Sequence, residues 1–200
     1  HGDSFAPGTI ITDVTGVKTG IVSTIQQRLG DRVEFIASHP MAGREVSGVR
    51  HADCSLFLPA NFIITPTSRN SEAGIQFVRQ LAELLQFRHI AVLSCQQHDE
   101  IIGFLSQLTH VIAVTLMNVR EQPHLVDYTG DSFRDLTRIA KINDALWTEL
   151  FLMNKQNLLR EIDDFAAELA HFRQVLQQED VQEMQRLFRQ STQRRKQFDK

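Results

Sequence analysis

The sequence predicts an α/β unit built on a parallel sheet, followed by an all-helical unit. Three observations carry this: short β-rich runs alternate with helical stretches at first, the strands stop near residue 94, and every later periodic segment has helical spacing. We place the boundary there, giving residues 1–94 to the sheet and 95–200 to the helices.

Residues 9–12, 33–37, 62–65 and 90–93 read as strands. Helical spacing fills 20–29 and 71–86 between them, the second with Ile75, Val78, Leu81, Ala82 and Leu85 on one face. From 95 to 121 the apolar positions Ile101, Ile102, Leu105, Leu108, Ile112 and Val114 continue without a proline, which predicts one helix, and Pro123 ends or redirects it. A short helix follows over 132–141. Asn143 is an N-cap candidate for a long or once-broken helix running to about Glu179, and Asp180 caps a last one carrying Val181, Met184, Leu187 and Phe188. So long a helix, with few partners in a chain of this size, buries its apolar face most easily against a second copy of itself, so a homodimer is expected.

At 42% hydrophobic and 22% charged residues, the 200-residue chain has a globular composition, which excludes disorder as its main state. A net charge of -3 supplies no global cationic field for nucleic acid, and the basic cluster 189–196 reads as a solvated helix end. Apolar runs such as 111–117 fall short of the ~18 residues of a membrane span. The expectation is a soluble, cytoplasmic protein without nucleic-acid or membrane partners. Cys54 and Cys95 lie far apart without C-x-x-C spacing, so both are expected as reduced thiols with no metal site.

The α/β half looks like part of a nucleotide-binding sheet, yet no G-x-G-x-x-G occurs in the chain. With its first strand close to residue 1, the expectation is a fragment whose phosphate-binding first unit is missing.

Two loops stand where strands end, the edge at which open α/β sheets bind ligands. His39-Pro40-Met41-Ala42-Gly43 presents an imidazole in a tight loop, with Glu45 close behind; the bland alternative is a surface histidine. Asp13-Val14-Thr15-Gly16-Val17-Lys18 gathers an acid, a hydroxyl, a glycine and an amine before a helix, where free N–H groups attract anions; Asp13 and Thr15 would otherwise serve only as turn and cap residues. On the helix after residue 94, Ser106 and His110 share a face, with His98 on roughly the same side two turns earlier. Such a polar row needs partners, water or a ligand. Asp135 and Arg138, three apart, form either an ion pair worth about 0.2–0.5 kcal/mol or a clamp in which Asp135 orients Arg138 toward a carboxylate.

Together these residues resemble the prephenate and arogenate dehydrogenases of tyrosine biosynthesis. D-V-x-x-V-K at Asp13 to Lys18, H-P-M-A-G from His39 with E-x-S-G-V after it, H-D-x-x-x-G-x-x-S-x-L-x-H from His98 to His110, and F-R-D-x-T-R-I-A ending at Ala140 stand in family order, as do Trp147 and Asn154-Lys155-x-Asn157.

The resemblance implies a partial Rossmann-type parallel sheet followed by a helical substrate-binding and dimerisation domain. It implies NAD- or NADP-dependent oxidative decarboxylation of prephenate to 4-hydroxyphenylpyruvate, or of arogenate to tyrosine. In that scheme a neutral His39 takes the proton of the ring hydroxyl, and Arg138 grips a substrate carboxylate with Asp135 and Glu45 ordering the polar shell. His110 and Ser106 complete the pocket, Thr15 and Gly16 line it, and Asp13, Thr12 and Lys18 lie on the cofactor side. Gly16 replaces the serine common in the family turn, with Thr15 as the neighbouring hydroxyl. Without the glycine-rich unit, the isolated chain is expected to bind NAD poorly and turn over little. No regulatory domain is expected after Lys200, so tyrosine inhibition would act at the active site. A hydroxyacid dehydrogenase is disfavoured, because such sites use a helix lysine where this chain offers Ser106, Gln107 and His110. A non-catalytic dimerisation module stays open, as do both substrates and both cofactors.

Overall fold

The computed structural model describes residues 4–43 and 48–199. β1 (Ile10–Thr12), α1 (Ile21–Leu29) and β2 (Glu34–Pro40) make one β-α-β unit with β1 parallel to β2. β3 (Asn61–Thr65), α2 (Glu72–Leu84) and β4 (His89–Val92) make a second, again parallel within itself. The four-stranded sheet has the order β1-β2-β3-β4.

The sheet is mixed, which corrects the expectation of an all-parallel one: β2 and β3 pair antiparallel, with Ala37 opposite Thr65 and Pro40 opposite Phe62. Parallel pairing needs a crossover over a sheet face, usually a helix. Among the described residues between β2 and β3 there are only 3-10 turns, at Val49–His51 and Cys54–Leu56. The chain therefore returns at the end where it left, and the Met41 amide donates to the Asn61 carbonyl at 2.8 Å.

Side chains alternate across β2, so it feeds two cores. Ile36 joins Phe62, Ile64, Val78, Ala82 and Phe87 on one face, while Phe35 and Ala37 meet Val22 of α1 on the other. Val78 and Ala82 are fully buried on the stripe read from the periodicity, whereas Leu85 at its end is exposed. Each fully buried Val or Ile contributes about 1.5–3 kcal/mol. α2 begins where Ser71 Oγ accepts from the Gly74 amide at 3.0 Å. It ends on Gln86 in the left-handed region (φ 62°), with the Phe87 amide bonded back to the Ala82 carbonyl at 3.2 Å. That reversal turns Phe87 inward, against Phe62.

The helical part opens with α3 (Cys95–Ile102), closed by a Ser94–Gln97 capping box. A π-helical segment, Gly103–Leu108, continues into α4 (Thr109–Val119). The expected single helix therefore runs from Cys95 to Val119, with one wider turn inside it. α5 (Asp131–Thr137) passes into a 3-10 turn, Arg138–Ala140. α6 (Asp144–Met153) starts where Asn143 Oδ1 accepts from the Leu146 amide at 3.1 Å, as expected, and Asn154 breaks it from α7 (Lys155–Gln177). Asp180 caps α8 (Val181–Arg195) through the Glu183 amide, also as expected. Both thiols are free.

The helix Cys95–Val119 is 25 residues long and, by length and composition, apolar enough to cross a membrane. Counting uninterrupted apolar runs missed this, because polar residues are spread through it. His98, Asp99 and Gln107 on this helix are buried and bonded to other parts of the fold.

The chain packs as two compact units, residues 1–158 and 159–200. The second is a helical hairpin in which Phe172 faces Phe188, Val175 is buried, and Glu179 takes a left-handed turn (φ 53°) between α7 and α8.

Candidate active site

β1 and β2 are parallel neighbours, so the turn after β1 and the end of β2 meet. Asp13 ties them together: its Oδ1 accepts from the Ser38 amide at 2.8 Å and its main-chain carbonyl from Ser38 Oγ at 2.8 Å. Thr12 Oγ1 lies 2.8 Å from Ser38 Oγ. Lys18 is fully buried, and its ammonium donates to Asp13 Oδ2 at 2.7 Å, to Thr15 Oγ1 at 3.2 Å and to the Ser38 carbonyl. Thr15 also donates its hydroxyl to Asp13 Oδ2. Burial pushes the Asp13 carboxyl up, but the bonds from Lys18, Thr15 and Ser38 outweigh it and hold the group below the usual carboxylate range. Burial also pushes the Lys18 ammonium below its ordinary value, against the pull of Asp13.

His39 stands at the end of β2. Its Nδ1 lies 2.9 Å from Nε2 of His98, whose Nδ1 lies 2.7 Å from Asp99 Oδ1. Asp99 receives the Lys18 amide on Oδ1 at 2.9 Å and the Thr19 amide on Oδ2 at 2.7 Å. Burial raises this carboxyl, but the His98, Thr19 and Lys18 bonds more than compensate, so it stays ionised. Burial, then repulsion from His98 and Lys18, pushes the His39 imidazole down to about 3. At neutral pH it is an uncharged base.

The helical residues connect through α6. Gly16 in the turn after β1 faces Leu150, whose Cδ2 would lie 3.4 Å from a Cβ added at that glycine. The Leu150 carbonyl accepts from Gln107 Nε2 at 3.1 Å. Three residues earlier on α6, Trp147 stacks on His110 with ring centroids 3.6 Å apart. His110 Nδ1 donates to the Ser106 carbonyl at 2.8 Å. Asn154, buried at the α6–α7 break, donates to the Asp99 carbonyl and to Gln107 Oε1, both at 2.8 Å.

Residues 3–91 fit the family model described as prephenate dehydrogenase, nucleotide-binding domain, and residues 94–190 the one described as prephenate dehydrogenase, dimerization domain. The chain belongs to the prephenate dehydrogenase family. Over 187 residues it is 33% identical to a prephenate dehydrogenase of Bacillus subtilis, covering 90% of this chain and 50% of that protein. A cyclohexadienyl dehydrogenase of Zymomonas mobilis is 30% identical over 177 residues, covering 86% of this chain and 60% of that protein. The Aquifex aeolicus prephenate dehydrogenase solved with hydroxyphenyl propionate and NAD+ superposes with a TM-score of 0.85 at 30% identity, over 95% of this chain and 67% of that one. Synechocystis arogenate dehydrogenase gives 0.80 at 25% identity, over 94% of this chain and 61% of that one. The chain spans about half the length of the Bacillus relative.

In this member of the family, the structure joins Asp13, Thr15, Lys18 and His39 in one network, with Thr12 bonded to its Ser38. It sets Ser106 and His110 beside Trp147. Glu45 lies outside the described residues. Asp135 and Arg138 are both exposed, and Arg134 on the same helix pairs with Asp131 at 2.5 Å. Arg138 opens the 3-10 turn that packs against α4, the helix of His110.

Reading the helix as one regular row put His98 beside Ser106 and His110. The π segment adds a residue to the intervening turn, and His98 faces β2 while His110 faces α6. His98, Asp99 and Trp147 were singled out by the polar row and the motifs, but the bonds of His98 to His39 and of Asp99 to the Lys18–Thr19 turn, and the stacking of Trp147 on His110, were not. The polar doublet His98-Asp99 at the start of an apolar helix was the available signal.

Proposed function

We propose that this chain carries the proton-accepting and substrate-binding parts of a prephenate dehydrogenase, converting prephenate to 4-hydroxyphenylpyruvate with loss of CO2. The observation that supports this most is His39: a neutral, half-buried imidazole whose Nδ1 is engaged by His98, with Nε2 left as the proton acceptor. His39 Nε2 takes the proton of the substrate ring hydroxyl as that carbon is oxidised. Arg138 holds a carboxylate through its guanidinium fork, ordered by Asp135 and Glu45. His110, oriented by Ser106 and Trp147, closes the pocket together with Thr15 and Gly16.

A nicotinamide dinucleotide, NAD, would supply the hydride acceptor when bound. Among the described residues there is no cradle for its phosphates. Lys18 is committed to Asp13, Thr15 and Ser38, Thr12 bonds Ser38, and no G-x-G-x-x-G is present. Asp13, Thr12 and Lys18 therefore shape the wall on the cofactor side rather than bind the cofactor charge. We keep residue 94 as the boundary between the sheet and helical domains, with the helical one pairing two copies in a cytoplasmic homodimer. The exposed Leu159, Phe165, Leu169 and Leu176 of α7 support that pairing.

Replacing His39 by Asn in the enzyme that carries this chain is expected to lower turnover by about 10²- to 10⁴-fold and leave the dimer intact. Unchanged turnover removes His39 from the mechanism. Arogenate is the second candidate substrate, favoured by the likeness to the Synechocystis arogenate dehydrogenase. Rates with both substrates, each with NAD and with NADP, choose between them.

A further inference from the structure

An imidazole can act as a base only if the nitrogen facing the substrate is the one without a proton. We infer that His98 and Asp99 are positioning residues that fix His39 in its Nδ1–H tautomer, so that Nε2 carries the lone pair used in the reaction.

The polarity of the chain of bonds runs one way. Both Asp99 oxygens already accept main-chain amides, from Lys18 and from Thr19, and the ionised carboxylate has no proton to give. The 2.7 Å contact with His98 Nδ1 is therefore a bond donated by the histidine. With its proton on Nδ1, His98 presents the lone pair of Nε2 across the 2.9 Å contact, and His39 Nδ1 donates to it. His39 Nε2 is then unprotonated. A free histidine in water favours the opposite form, with the proton on Nε2, so this arrangement has to be imposed.

The imposing group is well held. His98 and Asp99 are completely buried, and the Asp99 main chain is pinned by Asn154 through its carbonyl. The charged and titratable groups of this network are His98 and Asp99 on α3 and Lys18 and Asp13 from the turn after β1. The same carboxylate that sets the tautomer thus also grips the Lys18–Thr19 main chain, so the base and the turn beside it are ordered by one side chain.

The inference rests on His39 being the base, but its test does not need turnover. Long-range ¹H–¹⁵N correlation spectra of the uniformly labelled 200-residue chain near neutral pH report which ring nitrogen of each histidine is protonated. The expected result is a protonated Nδ1 and bare Nε2 for both His39 and His98, and reversion of His39 to mostly Nε2–H in His98→Phe. A wild-type His39 carrying its proton on Nε2, or one whose tautomer is unchanged in His98→Phe, overturns it. If that variant does not fold, the wild-type spectrum decides alone. Failures separate cleanly: loss of turnover in His39→Asn alongside a wild-type Nε2–H form sinks the positioning role and leaves the base. An Nδ1–H form alongside full turnover in His39→Asn sinks the base and leaves the tautomer control.

Discussion

The Lys18 amide donates to Asp99 Oδ1 at 2.9 Å, across 81 residues of sequence. This bond fastens the turn after β1 to the first helix of the helical part. Because Asp99 also bonds His98, and His98 bonds His39, the turn and the candidate base share one buried polar network. Such networks stabilise only while every member is satisfied.

The Lys18–Asp13 pair gives the first test. Replacing Lys18 by Met strips Asp13 of its buried partner, and breaking a buried pair in this way costs about 3–5 kcal/mol. Thermal unfolding of the variant should show a markedly lower midpoint, and adding Asp13→Asn should restore part of the loss, since the uncompensated charge is then gone. Full stability of Lys18→Met would contradict the role assigned to this ammonium.

Protonation of His39 gives the second. Its imidazole is pushed down to about 3, so its ring signals should stay constant through the region near ~6.5 where an ordinary histidine titrates. The folded value lies below the unfolded one, so the unfolded chain binds more protons between them. This group's contribution to stability is whole above about pH 6.5 and declines as the pH falls toward about 3. An NMR titration with a His39 midpoint at its ordinary value would refute the withdrawal of this imidazole from water beside Lys18.

At the α6–α7 break, Asn154 donates to the Asp99 carbonyl and to Gln107 Oε1. Asn154→Ala leaves those buried acceptors without that donor and should cost about 1–3 kcal/mol for each group left unsatisfied. Chemical denaturation measures it, and a shift within error of zero would mean that water replaces the amide without loss.

Cofactor affinity follows from what the chain lacks. With no G-x-G-x-x-G and with Lys18 committed internally, titration calorimetry of the 200-residue chain with NAD should find binding no tighter than about millimolar, near -4 kcal/mol. A micromolar dissociation constant would show that these residues do hold the cofactor.

The elements and several of their caps are written in short stretches of chain, which is why they could be read directly. Asn143 and Asp180 cap the helices they precede, and the Val78–Ala82 stripe is the buried one, because capping and 3.6-residue periodicity depend on near neighbours. The antiparallel pairing of β2 with β3 escaped that reading, since it depends on the path of the chain between them. His39 was identified by its place at a strand end and its motif, but its partners were not. His98 is 59 residues away, and only the π turn and the packing of α3 on the sheet set which way it faces. Local residue pattern decided what each segment would be. Folding decided which polar groups were shut away from water, and burial forces each of those to find a particular partner, however distant in the chain.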